Sequence, residues 1–157
     1  MTDILIIGGG IAGLLTAREL LLAGARVRLL ERGAAGSESS WAGGGILSPL
    51  RPWREAAAIN RLCHWSQAHY PALANALHQS SGIDPEWWRC GALYIGMDPT
   101  EHSLAEEWCR SACVTNDWLD AAAVADMEPY LRAVTGSLWL PDTAQARNPR
   151  LLNALKK

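Results

Sequence analysis

Three glycines and one carboxylate carry the clearest chemistry in this chain: Gly8, Gly10 and Gly13, spaced Gly-x-Gly-x-x-Gly, and Glu31 beyond them. Glycines at this spacing suit a pyrophosphate. Gly8 allows a tight turn, and Gly10 lets the main chain approach phosphate with no Cβ in the way. Gly13, with Ala17 one turn later, lets a helix lie close on a sheet. The N-terminus of that helix offers unpaired N–H groups and a positive dipole end. A carboxylate at Glu31 can accept hydrogen bonds from ribose hydroxyls. A second stretch, Ser39-Ser40-Trp41-Ala42-Gly43-Gly44-Gly45-Ile46-Leu47, is small residues followed by an aliphatic pair. Such a segment can lay its backbone along a flat ligand and donate N–H groups to it.

These residues need elements to hold them. The apolar run Ile4-Leu5-Ile6-Ile7 reads as a buried parallel strand ending in the glycine turn. A helical pattern follows to about Ala23, Gly24 stops it, and Arg26–Leu30 reads as a second strand whose tip is Glu31. Strand, glycines, helix and acid together form a dinucleotide-binding βαβ pattern. The stretch from Gly33 to Pro49 is too rich in Gly and Ser for an element interior, yet Ile46-Leu47 and Pro49 point to ordered packing. Residues 54–80 carry a helical pattern with Pro71 in a kink or early turn, ended by Ser80-Ser81-Gly82. Further on, Cys90–Ile95 reads as a strand, Pro99–Cys113 as a helix, and Asp120–Met127 as a short helix. Gly136–Leu140 reads as a strand, and Asn148-Pro149 is expected to cap and open a last helix, Arg150–Leu155. Lys156-Lys157 come at or just past that helix, where an α/β chain should return to its sheet.

Composition narrows the classes. The 157 residues, 49% hydrophobic and 19% charged, describe one or so globular domains with a real core. A net charge of -2 gives no electrostatic footprint for nucleic acid or an anionic membrane. The N-terminal apolar run is too short for a span or signal peptide, so the sequence reads as cytoplasmic. Cys63, Cys90, Cys109 and Cys113 show no C-x-x-C spacing. Cys109 and Cys113, one helical turn apart, could form a two-ligand face, but free thiols in a reducing compartment are the expectation and no metal is assigned. His64, His69, His78 and His102 form no cluster. Trp41, Trp53, Trp87, Trp88 and Trp139 are read as packing residues.

The chain resembles the FAD-dependent D-amino-acid-oxidase-like superfamily, and within it the glycine oxidases of the thiamine pathway. The resemblance rests on Gly8-x-Gly10-x-x-Gly13, Glu31-Arg32 and the segment from Ser39 through Gly45 and Ile46 to Pro49. It continues through Gly91-Ala92-Leu93, Met127–Leu131, Gly136-Ser137-Leu138 and Asn148-Pro149. It implies an α/β fold: a Rossmann-like FAD-binding βαβ unit with the first part of an interleaved α+β substrate domain. The divisions expected are 1–80 for FAD binding, 81–145 for the start of the substrate domain, and 146–157 for a helix returning to the first.

By the same resemblance, Ile11 and Ala12 would meet the FAD pyrophosphate through their N–H groups. Glu31 would bind the adenosine ribose and Arg32 would lie by the adenine. Ser39 and Ser40 would bond the pyrophosphate side, Gly44, Gly45 and Ile46 would offer main-chain N–H groups to the isoalloxazine, and Gly43 belongs to the same cofactor-binding loop. The family's substrate-binding arginine, active-site tyrosine and second flavin segment match nothing in these residues. The chain therefore reads as an N-terminal fragment, and no catalytic residue is assigned.

The activity implied is oxidation of glycine or another small amino acid to an imine, with peroxide formed from oxygen. Sarcosine oxidase, D-amino-acid dehydrogenase and the flavin domain of a tRNA wobble-uridine modifying enzyme are the neighbouring alternatives. A non-catalytic nucleotide-binding module is the alternative from another class. An NAD-dependent dehydrogenase fits less well, since the Gly43–Gly45 loop has no role in that fold. The partners expected are a small amino-acid substrate and further copies of the chain, with no nucleic acid and no membrane.

Overall fold

A computed structural model of the chain describes residues 3–131 and 136–157. Two compact units form from discontinuous segments. The first takes the chain up to Gly45, His69–Trp87 and Ala146–Lys157; the second takes Ile46–Ala68 and Trp88–Gln145.

The first unit is built on the expected strand–helix–strand. Strand β1 (Ile4–Ile7) and strand β2 (Val27–Leu30) pair in parallel, with Ile4 opposite Val27 and Ile7 opposite Leu30. Helix α1 (Ile11–Leu22) connects them and packs on both. It ends at Ala23, and Gly24 follows at φ +84°, a left-handed conformation that glycine adopts without a Cβ penalty. One expectation needs correction. β1 is parallel, but only one face is covered: Leu5 is 54% and Ile7 84% exposed among the described residues. Side chains alternate across a strand, so a buried strand needs layers on both faces, and here α1 covers one.

The Gly/Ser-rich stretch holds a short helix, α2 (Ser39–Ala42), where sequence composition argued against any element. The second half of helix α3 (Ala57–Ser81, with Pro71 inside) and helix α6 (Asn148–Leu155) complete this unit. Leu77, Leu151 and Ala154 form its buried core, flanked by Ile11, Tyr70, Leu73, Ile83 and Leu155. Asn148 is not the cap of α6. Arg147 holds that position without a side-chain bond, and Asn148 is the first helical residue.

The second unit carries a three-stranded antiparallel sheet. β6 (Ser137–Leu140) lies between β4 (Ala92–Tyr94) and β5 (Asp117–Leu119). A smaller antiparallel pair joins β3 (Trp88–Arg89) to β7 (Ala144–Gln145). β3, β5 and β7 escaped the sequence reading because two or three residues are too few to show alternation. Helix α4 (Pro99–Ala112) opens on Asp98, whose side chain accepts the Glu101 N–H at 2.8 Å, and closes on Cys113 at φ 51°. Helix α5 (Ala121–Met127) is capped in the same way by Asp120. Trp53, Ala105, Cys109, Leu138 and Leu140 form the core. Trp53 lies edge-on to Tyr94 with ring centroids 4.9 Å apart. Among the described residues no helix is long and apolar enough to cross a membrane.

Candidate functional site

The candidate site is the turn between β1 and α1 with what packs around it, all in the first unit. Gly8 sits at φ +104°, so the turn depends on a glycine there. A Cβ on Gly13 would overlap the Gly8 carbonyl oxygen, which is why α1 can start so close under the strand. A Cβ on Gly10 would come within 3.1 Å of Ser40 Oγ. That glycine therefore lets α2 close over the turn.

Ser40 takes a specific part in this. Its Oγ accepts the Ile11 N–H at 2.9 Å, tying the start of α1 to α2. Ile11, expected to donate to phosphate directly, thus donates to Ser40, whose hydroxyl proton remains available to an anion. The N–H groups of Ala12 and Gly13 find no acceptor among the described residues. A helix start with open N–H donors and a serine hydroxyl beside them is the donor set that a pyrophosphate needs.

Glu31 is drawn back onto the turn. Its Oε2 accepts the Gly9 N–H at 2.7 Å and its Oε1 accepts the Gly33 N–H at 2.9 Å. These main-chain donors, Gly9 first, hold its carboxyl below the usual carboxylate range. An ionised carboxylate has further lone pairs, so Glu31 can brace the turn and still accept from a hydroxyl. Gly9 is a site residue that the spacing rule passes over. Its missing Cβ leaves room for Glu31, whose Cβ would otherwise be 3.1 Å away. The signal was present as the third glycine in Gly8-Gly9-Gly10.

The other expected residues lie less centrally. Arg32 is highly exposed and pairs with Glu38 at 2.7 Å. Ser39 begins α2 and is exposed. Ile46 belongs to the second unit, where it bridges to Gln145.

The three glycines of the second stretch prove unlike one another. A Cβ on Gly43 would overlap Asn148 Nδ2. A Cβ on Gly45, which has φ +80°, would overlap the Ala146 carbonyl oxygen. The Ala146 N–H also donates to the Gly45 carbonyl at 2.9 Å. Gly45 is thus required by the main chain at Ala146, while at Gly43 the space is taken by the Asn148 amide. Only at Gly44 does the missing Cβ face open space, with nothing within 4 Å. Ala146 and Asn148 were not readable as site residues, because they lie a hundred positions away in sequence.

Comparison with known proteins agrees with this geometry. The profile of the FAD-dependent oxidoreductase family DAO matches residues 3–157. A glycine oxidase of Pseudomonas aeruginosa is 42% identical over 154 residues, covering 98% of this chain and 42% of that protein. The bifunctional protein ThiO/ThiG of Trichormus variabilis is 32% identical and is covered over 24% of its length. Among solved structures, glycine oxidase from Geobacillus kaustophilus superposes with a TM-score of 0.89 at 29% identity, over 98% of this chain and 42% of that one. The chain therefore spans well under half the length of these relatives. With glycine turn, bracing acid, helix start and sequence match in accord, the chain belongs to the FAD-dependent oxidoreductase family DAO.

Proposed function

We propose that this chain is the cofactor-binding portion of an FAD-dependent glycine oxidase. The observation that carries the reading is the turn at Gly8–Gly13, where open N–H donors, Ser40 and Glu31 converge in a sequence 42% identical to a glycine oxidase. In this reading Ala12, Gly13 and Ser40 hold the pyrophosphate, Glu31 the adenosine ribose, and Gly44 the main-chain approach to the isoalloxazine. Arg32 and Ser39 flank the adenine and pyrophosphate, and Ile46 follows the flavin loop. FAD held there by Ala12, Gly13, Ser40, Glu31 and Gly44 would supply two-electron oxidation of the amine, with oxygen as final acceptor and peroxide as its product. The protein's own part is to bind and orient. The α1 dipole and its N–H groups offset phosphate charge, and the Gly9 and Gly33 N–H groups that donate to Glu31 hold its carboxyl below the usual range and fix its orientation.

We assign the first unit to FAD binding, with 146–157 returning to it, and the second to the start of a substrate domain. The substrate is glycine or a comparably small amino acid, the protein is cytoplasmic, and its product serves thiamine synthesis. Taken alone, this portion should self-associate through the apolar strand face of Leu5, Ile7 and Leu30. The test is reconstitution of the protein that carries this chain with FAD, followed by desalting and a peroxide assay with glycine. Retained flavin with glycine-dependent peroxide supports the reading. Loss of flavin on the column removes it, and retained flavin without peroxide removes the oxidase while leaving FAD binding.

A further inference from the structure

The start of α6 lies beneath the Gly43–Gly45 loop, and Asn148 is the side chain set against it. A Cβ on Gly43 would overlap Asn148 Nδ2, and one on Gly45 would stand 3.6 Å from Asn148 Oδ1. The amide thus takes the space of the missing Gly43 side chain and borders that of Gly45, which the Ala146 carbonyl fills. It makes no hydrogen bond among the described residues, and Arg147, not Asn148, caps the helix. Packing shape, then, is what the Asn148 side chain contributes to the loop.

The platform under the loop is firmly held. Glu86 pairs with Arg147 at 3.2 Å and with Arg150 at 3.1 Å. The Arg147 N–H donates to the Pro85 carbonyl at 2.9 Å, and Arg150 Nε donates to the Asp84 carbonyl at 2.6 Å. Leu151, Leu152 and Ala154 are buried along α6. Gly36, at φ +75°, packs on Leu152 and ties the beginning of the same segment to the same helix. Segment 36–45 is therefore anchored to α6 at both ends, and its middle, Gly44, is left open.

We propose that Asn148 is a positioning residue for the cofactor: by filling the hollow at Gly43 and bordering Gly45 it sets the main-chain geometry that Gly44 presents to the flavin. This rests on the FAD reading above for the identity of the ligand, but the loop's geometry can be tested without it. Asn148→Ala empties the hollow, and Asn148→Leu refills it with nearly the same branched shape and no polar atoms. Amide hydrogen exchange across residues 43–46 in the FAD-free protein should rise about tenfold in Asn148→Ala and return near wild type in Asn148→Leu. With saturating FAD, Asn148→Ala should also change the visible circular dichroism of the flavin, which a general loss of stability would not do. Wild-type exchange in Asn148→Ala overturns the proposal, as does an Asn148→Leu variant that exchanges like the alanine. Failure of the wild-type protein to bind FAD would refute the cofactor reading, while the exchange comparison would still decide the role of Asn148.

Discussion

Gly44 and Gly45 are adjacent and chemically identical, yet the structure separates their roles, and alanine at each should act with opposite sign on stability. At Gly45 the backbone is at φ +80° and a Cβ would overlap the Ala146 carbonyl oxygen. The left-handed conformation costs an alanine about 1–2 kcal/mol. Relieving the overlap adds about 1–3 kcal/mol as overpacking. Together these reach about 2–5 kcal/mol, a large part of the roughly 5–15 kcal/mol that holds a domain folded. At Gly44 the φ is outside the left-handed region and no atom lies within 4 Å of the added methyl. Alanine there should leave the FAD-free protein unchanged or stabilise it by about 0.4–1 kcal/mol, through loss of unfolded-chain entropy. FAD should tell the other half. A methyl between the Gly44 main chain and the ring forces them apart and weakens the N–H contact, for an affinity loss of about tenfold. Urea unfolding of the FAD-free variants and titration of FAD by fluorescence quenching measure both quantities. A Gly44→Ala protein with wild-type FAD affinity would refute the assignment of Gly44 to the flavin. A Gly45→Ala protein as stable as wild type would refute the packing account of the loop.

Two further predictions concern carboxylates. Glu31 has its pKa lowered in the folded state by the Gly9 and Gly33 N–H groups, so its stabilisation is complete above its unfolded value and lost as pH falls through the folded one. Glu31→Gln should therefore be less stable than wild type near neutral pH, with the gap closing below about pH 4.5; parallel urea midpoints across that range would contradict it. Glu101, 5% exposed, accepts the Trp53 indole N–H at 3.2 Å and pairs with Arg51 and Arg54. Both arginines are about half exposed and can rehydrate, so Glu101→Ala should cost about 1–3 kcal/mol, chiefly from the orphaned indole. A denaturant shift under about 0.5 kcal/mol would show that the buried carboxylate is not needed.

Much of the local structure was legible because it depends on neighbours in sequence. Gly8, Gly13 and Gly24 mark a turn, a close approach and a helix stop from their own backbone requirements, and the structure places each in that task. Asp98 and Asp120 lie at helix starts for the same local reason. Apolar periodicity located α1, α3 and α4 because a helix of several turns repeats its pattern. β3, β5 and β7 carry no such repeat, and they exist because a partner strand across the sheet supplies their hydrogen bonds.

The site divides along the same line. That Gly8–Gly13 form a strand-to-helix turn with Glu31 at the tip of the next strand follows from residue type and spacing, since strand, helix and acid are contiguous in the chain. What each group does inside the turn is a tertiary matter. Ser40 accepts the Ile11 N–H, Glu31 accepts from Gly9, Asn148 fills the space beside Gly43, and Ala146 requires glycine at 45. None of these contacts is implied by spacing, because folding brings together residues 22 to 29 positions apart in two cases and about a hundred apart in the others. A glycine's missing Cβ can be read from sequence, but the atom that takes its place is chosen only when the chain packs.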